Sequence, residues 1–346
     1  MKLGLSIGSG GGRFSLDEDL IRLADDLGFD SLWTSESWGH DAVSPAAWAL
    51  ALTRRIRVGT GIMQMTTRAP TMTAMTAITL QQLSGGRFIL GLGPSGPQVV
   101  EGWHGEPYGK PLTRLREYVS IVRRVLERAE PLTHQGEHYQ FPYTGPGAMG
   151  LGKPLKSILH GDPSLRIVTG AISPTGVRTA AEIADGFLPI YMDPTRFDVF
   201  GPHVEAGLAR AGGGKSLEDF AVMPLCHVVL DDDVERASRP VRENISFYIG
   251  GMGARNKNFY CDYAKRIGFE AEAERIQDLF LSGRRAEAAA AVPQHLVDQV
   301  ALVGPRERIV ERLADWKTAA AARHVDTLIA RTHSHDAVRL LAEAAL

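Results

Sequence analysis

The chain has 346 residues, 44% of them hydrophobic and 23% charged, a globular composition that excludes a disordered or collagen-like chain. Thirty-eight basic against forty acidic residues leave a net charge of −2, so no nucleic-acid partner is expected. Two cysteines, Cys226 and Cys261, without CxxC or zinc spacing, exclude a disulfide framework and point to a reducing, cytoplasmic home. No apolar run approaches the roughly 18 residues of a membrane span, so none is expected. The opening segment carries one lysine, a short apolar run and then glycines, and is not expected to act as a signal peptide.

Leu3 to Ile7 reads as a buried strand that empties into the glycine run Gly8 to Gly12. Ser15-Leu-Asp-Glu18 has the form of a capping box, predicting a helix up to Gly28. Ser31 to Thr34 is a second strand, and Ser44-Pro45 opens a short helix. Ile56 to Ile62 is the third strand, with a helix from Thr71 to Leu83. Arg87 to Leu92 is the fourth, with a helix from Leu112 to Ala129. The glycine- and proline-rich stretch 130–164 interrupts this alternation and reads as an insertion. Strand five (Leu165 to Gly170), strand six (Phe187 to Tyr191) and strand seven (Phe220 to Leu230) follow, each of the first two with its helix. A helical insertion spans 234–300, Gly304-Pro305 starts another helix, and Val325 to Ala330 is strand eight before a last helix. Strand–helix alternation predicts a parallel sheet. Eight such units predict a single-domain (β/α)8 TIM barrel over 1–346, ahead of an open doubly wound sheet.

In such a barrel the chemistry lies at the carboxyl ends of the strands. Thr169-Gly-Ala-Ile-Ser-Pro-Thr-Gly176 combines glycines, hydroxyls and a helix start there, which suits a phosphate; a plain N-cap at Ser173 is the competing reading. Leu90-Gly-Leu-Gly-Pro-Ser-Gly-Pro97 supplies small residues against which a flat ring could lie, or merely a tight loop. Gly59-Thr-Gly-Ile62 marks a bulge or a close approach of backbone and ligand. Titratable candidates are Glu36, His40 and Asp41 after strand two, and His104 beside Trp103; no structural partner for Glu36 is evident in the sequence. His333-Ser-His335 lacks companion ligands on other strands, and no metal site is expected. Neither a Gly-x-Ser-x-Gly elbow nor a Walker-type loop occurs.

Taken together, Leu90 to Gln98 with Glu101-Gly-Trp-His-Gly105, Arg116-Glu-Tyr118, Thr169 to Pro174 with Glu182 to Gly186, Tyr248 to Gly253 and Leu302 to Pro305 resemble the luciferase-like flavin and deazaflavin oxidoreductases. The resemblance is to the branch of methylenetetrahydromethanopterin reductase and its actinobacterial relatives. It implies coenzyme F420 at the barrel mouth, hydride transfer between this deazaflavin and an unidentified organic substrate, and a homo-oligomer. It also implies a non-prolyl cis peptide at Gly61-Ile62, with Thr60, Gly61 and Ile62 beside the ring. Ser95 and Gly96 would flank the cofactor, and Gly170, Ala171, Ile172, Ser173 and Gly176 would hold its phosphate. Beyond that phosphate, Arg13 or Lys110 would meet the acidic tail. Some deazaflavin dehydrogenases of this family place a histidine after strand two. Here Glu36 stands nearest that role and His40 follows, so a sugar-phosphate or simple-alcohol substrate is not supported. Glu36 or His104 would then move the proton. The rival readings are an FMN-dependent monooxygenase on the same scaffold and a non-catalytic flavin-binding barrel. Aromatics Phe247, Tyr248, Phe259, Tyr260 and Tyr263 read as core, or as a lid over an apolar substrate.

Overall fold

The computed structural model describes residues 1–8 and 12–346, so part of the first glycine run, residues 9–11, lies outside the described residues. Eight strands carry the frame: β1 (Lys2–Ser6), β2 (Ser31–Thr34), β3 (Arg57–Thr60), β4 (Phe88–Gly93), β5 (Ile167–Gly170), β6 (Gly186–Leu188), β7 (Leu225–Leu230) and β8 (Thr327–Arg331). They pair in parallel along the path β6-β5-β4-β3-β2-β1-β8-β7. The two ends of that path meet. Ile190, just past β6, bridges Leu225 in parallel, and the Leu225 amide donates to Pro189 O at 3.0 Å. The result is a parallel, barrel-like α/β sheet.

Two apolar clusters follow from the strand alternation. Trp33, Ile89, Val168, Met223 and Ile329 fill the inside of the sheet. The Trp33 indole N–H donates to Ser31 Oγ at 2.9 Å, so even this polar atom is satisfied within the barrel. A much larger cluster on the outer face holds the helices against the strands.

Local differences from the sequence reading have local causes. Helix 18–26 is capped by Asp17, whose carboxylate accepts from Leu20 N at 2.9 Å, rather than by Ser15. The seventh strand region is split into Ala221–Val222 and β7 by Met223-Pro224, since proline has no N–H to offer a ladder. Ala301–Gly304, read as part of a helix boundary, is a strand that pairs with the outer edge of β7. Segment 130–164 contains a short hairpin, His134–Gln135 with Gln140–Phe141, and segment 234–300 contains five helices. Both cysteines are buried and free.

Strands three and four are latched at the point where the site begins. Thr60 Oγ1 donates to Gly91 O at 2.8 Å and accepts from Gly91 N at 2.9 Å. A Cβ on residue 91 would lie 1.7 Å from the Thr60 carbonyl oxygen. Only glycine permits this approach. We predict that Gly91→Ala loses at least about 3 kcal/mol of stability by chemical denaturation, whereas Gly96→Ala, whose Cβ would meet only Gln98 Oε1 at 3.6 Å, changes stability by less than about 0.5 kcal/mol.

Candidate active site

The loop after β2 and the loop after β3 are joined by the Glu36 carboxylate and by Gln64 Nε2, which donates to Ser37 O at 2.7 Å. Glu36 Oε1 accepts from Gln64 N at 2.6 Å and from Arg68 Nη1 at 2.7 Å, while Oε2 accepts from Ala42 N at 2.9 Å. Its side chain is only 6% exposed. The absence of an evident partner in the sequence is thus corrected: Glu36 has three, two of them backbone amides that no sequence pattern advertises. Arg68 is held in turn, because its carbonyl accepts from the buried Tyr118 hydroxyl at 3.1 Å.

Glu36 and His104 are brought together. They line one cavity of about 150 Å³ with His40, Gln64, Arg68 and Trp103. Among the described residues, His104 Nε2 and Gln64 Oε1 are buried without a hydrogen-bond partner. Buried polar atoms are normally satisfied, so this pair marks a place where a ligand can bond. His40 lines the same cavity with its ring 4.3 Å from that of Phe14.

Beside this cavity, the Gly61-Ile62 peptide is cis, as the resemblance implies. The Ile62 side chain lies over the ends of β4 and β5, where a Cβ on Gly93 or Gly170 would come within 2.9 or 3.2 Å of it. These glycines make room first for Ile62, which becomes an apolar platform at the mouth. The Thr60 side chain is spent in its latch, leaving only backbone to offer. Ser95 sits in the left-handed region at φ 59°, and its carbonyl accepts from the Tyr108 hydroxyl at 3.3 Å. Burial, with Glu101 nearby, pushes that phenol up to about 12, so it remains a donor.

At the end of β5, Ser173 caps helix Pro174–Ile183, its Oγ accepting from Gly176 N at 3.1 Å. Gly170, Ala171, Ile172 and Ser173 precede this helix start as a continuous turn. Two cations that the sequence reading missed stand near it. Arg266 donates to Ile172 O at 2.7 Å, and Arg178 lies on the helix itself with a buried, unpartnered Nε. Burial, then the charges of Arg178 and Arg266, lower the pKa of His203. Arg178 follows Pro174 by one helical turn and was findable; Arg266 is 94 residues from its contact and was not. Lys110 is paired with Glu137 at 2.8 Å, and Arg13 is exposed.

On the opposite side, Tyr191 and His227 share one acceptor, Asn244 Oδ1, at 2.6 and 3.0 Å. Tyr248 and Tyr260 pack edge-on in the same wall, and Tyr263 is buried with its hydroxyl on Tyr191 O, so these aromatics are core. His335 is taken by Asp17 at 3.0 Å. A second cavity, about 950 Å³, opens at the opposite end, where the strands begin. Its charges are largely paired, Lys2 with Asp326 and Arg123 with Asp185, and none of the candidate residues lines it.

A parallel barrel-like sheet with its polar and glycine-lined loops at the strands' carboxyl ends is an enzyme scaffold that carries many chemistries. Residues 4–323 match the family model described as luciferase-like monooxygenase. A Mycobacterium tuberculosis protein described as a putative coenzyme F420-dependent oxidoreductase, Rv3520c, is 44% identical over 329 residues, covering 94% of this chain and 95% of the relative. The 5,10-methylenetetrahydromethanopterin reductase of Archaeoglobus fulgidus is 29% identical over 314 residues, covering 89% and 88%. The solved coenzyme F420-dependent tetrahydromethanopterin reductase from Methanopyrus kandleri superposes with a TM-score of 0.78 at 22% identity, covering 99% and 97%. The chain belongs to the luciferase-like monooxygenase family, and it is an oxidoreductase. Among the described residues, no helix is long and apolar enough to cross a membrane.

The Glu36 clasp yields a test. Glu36→Ala strips two backbone amides of their acceptor and leaves Arg68 unpaired, so unfolding free energy should fall by about 3 kcal/mol in urea titrations. A loss below about 0.5 kcal/mol, the range of an ordinary surface change, would show that the clasp carries no structural weight.

Proposed function

We propose that this chain is a coenzyme F420-dependent oxidoreductase that transfers a hydride between the deazaflavin and an organic substrate, on a single (β/α)8 barrel with 130–164 and 234–300 as insertions. The observation that carries the reading is the pairing, at one end of the sheet, of the Ile62 platform with the capped turn Gly170–Gly176. A flat ring needs the first and a phosphate needs the second. The residues fit the group. Gly61, Ile62, Ser95 and Gly96 would border the ring. The Gly170, Ala171, Ile172, Ser173 and Gly176 turn would hold the phosphate, and Arg266 and Arg178 would meet the acidic tail in place of Arg13 or Lys110. The 44% identical relative described as F420-dependent supports this cofactor over FMN.

Bound deazaflavin supplies a carrier for two electrons and a hydrogen; the rest of the chemistry is the protein's. Of the two proton-handling candidates, His104 has its Nε2 buried and unspent in the cavity, where it can hold or deliver a proton. Glu36 has both oxygens engaged and acts as the positioning residue that fixes the loops around that proton. Trp38 and Trp103 flank the opening and limit access of water. Anaerobic titration should show deazaflavin binding at least about tenfold tighter than FMN, a difference of about 1.4 kcal/mol. His104→Gln should leave that affinity intact while lowering kcat by about a hundredfold. Tighter binding of FMN with oxygen-dependent turnover would instead establish the monooxygenase reading.

Helix 43–52 carries a single polar side chain, Ser44, and together with helix 70–83 it exposes Trp48, Met72, Met75 and Leu83, the last at 80%. Large apolar side chains clustered on an exposed face mark an interaction surface, and among the described residues nothing covers these. We assign this face to a homo-oligomer. Light scattering should report more than one copy for the wild type and a smaller particle for Met75→Glu; a monomeric wild type would contradict the assignment.

A further inference from the structure

The wall formed by β7, β8 and the chain after β6 has no role in the reading above. Leu225 of β7 and Ile329 of β8 are register partners and both pack into the interior cluster. Side chains alternate along a strand, so the next register pair on that face, His227 and Arg331, also faces the interior, one layer nearer the mouth. Ser6 of β1, two residues beyond Gly4, which pairs with Ile329, completes the same layer. This half of the mouth is polar, whereas the half formed by β3, β4 and β5 presents glycine backbone and Ile62.

His227 is neutral: burial, then the Arg331 charge, push it down to about 3. The shared acceptor Asn244 Oδ1 fixes its ring and the Tyr191 hydroxyl together. Burial raises the Tyr191 phenol well above its ordinary value, and the Arg331 charge opposes that rise, so the guanidinium lies close to both. Arg331 itself is half-buried, and among the described residues its side chain makes no ion pair and no hydrogen bond. Two other half-buried arginines, Arg87 and Arg116, are engaged by protein partners. Arg87 donates to Ser84, Leu50 and Ile56 carbonyls, and Arg116 grips Glu182 and Thr179. A partly desolvated guanidinium facing two neutral neighbours is costly unless an anion completes it, and its fork matches a carboxylate.

We propose that Arg331 is the binding group for a carboxylate on the organic substrate, with the neutral His227–Asn244–Tyr191 array beside it. This rests on the reading of the mouth as a hydride-transfer site and adds that its substrate is an organic acid.

The test uses benzoate and its neutral isostere benzamide as probes, at constant ionic strength, on both the deazaflavin-loaded and the unloaded protein. Wild type should bind benzoate at least about tenfold tighter than benzamide. Arg331→Gln should bring the two within twofold of each other, with melting temperature and affinities for oxidised and reduced deazaflavin unchanged, and Arg331→Lys should restore part of the preference. Wild type binding benzoate no tighter than benzamide, including binding neither, overturns the proposal. So does a preference that survives Arg331→Gln, or a variant whose main defect is weakened binding of reduced deazaflavin, which would assign Arg331 to the ring. Failure of the wild type to bind deazaflavin at all would count against the hydride-transfer reading, while the probe comparison on unloaded protein still reports on Arg331.

Discussion

The mouth of this barrel depends on a carboxylate buried between two loops. Glu36 accepts from backbone on both sides of it, Ala42 in its own loop and Gln64 in the next, and neutralises Arg68. Without that clasp the chain leaving β2 and the chain leaving β3 would keep only lighter ties, such as Gln64 Nε2 donating to Ser37 O and Glu36 N to Ile62 O. His104 and Gln64 would then not be held at one small cavity, nor Ile62 beside it. A carboxylate satisfied this completely is retained for geometry, since its desolvation cost is offset only by the bonds it makes.

Around the clasp the mouth divides by chemistry. β3, β4 and β5 end in backbone that approaches so closely that Gly91 touches the Thr60 carbonyl, and Ile62 fills the space above. That side offers flat apolar surface and, one loop further, the capped turn before Pro174 with Arg266 and Arg178 close by. β7 and β8 end in His227 and Arg331, backed by Asn244 and Tyr191. In the proposed reading the cofactor would lie on one side and an oriented polar substrate on the other, the division of labour that proximity catalysis requires. The scaffold supports both walls through an interior plug centred on Trp33.

Much of this was legible in the sequence because it is local. Apolar runs such as Leu165 to Gly170 and Val325 to Ala330 announce buried strands, and Gly170 to Gly176 carries its own cap at Ser173. What was hidden is non-local or masked by neighbours. Ala301–Gly304 follows a helix with no turn residue between them, so its four residues gave no period to read. Met223-Pro224 breaks a strand that its flanking valines suggest is continuous. Asp17 outcompetes Ser15 as a cap because it stands one residue before the helix. The partners of Glu36 and the reach of Arg266 to Ile172 arise only when distant loops meet, and no spacing rule encodes them.

The central claim is that the cofactor lies on the Ile62 side of the mouth with its phosphate on the capped turn. A crystal structure of the protein soaked anaerobically with oxidised deazaflavin tests it most directly. The account predicts the ring against Ile62 and within reach of His104 Nε2, and the phosphate on the amides between Ala171 and Gly176. A ring bound elsewhere, or a phosphate seated in the large cleft lined by Lys2, Arg166 and Lys317 at the opposite end of the strands, would contradict it.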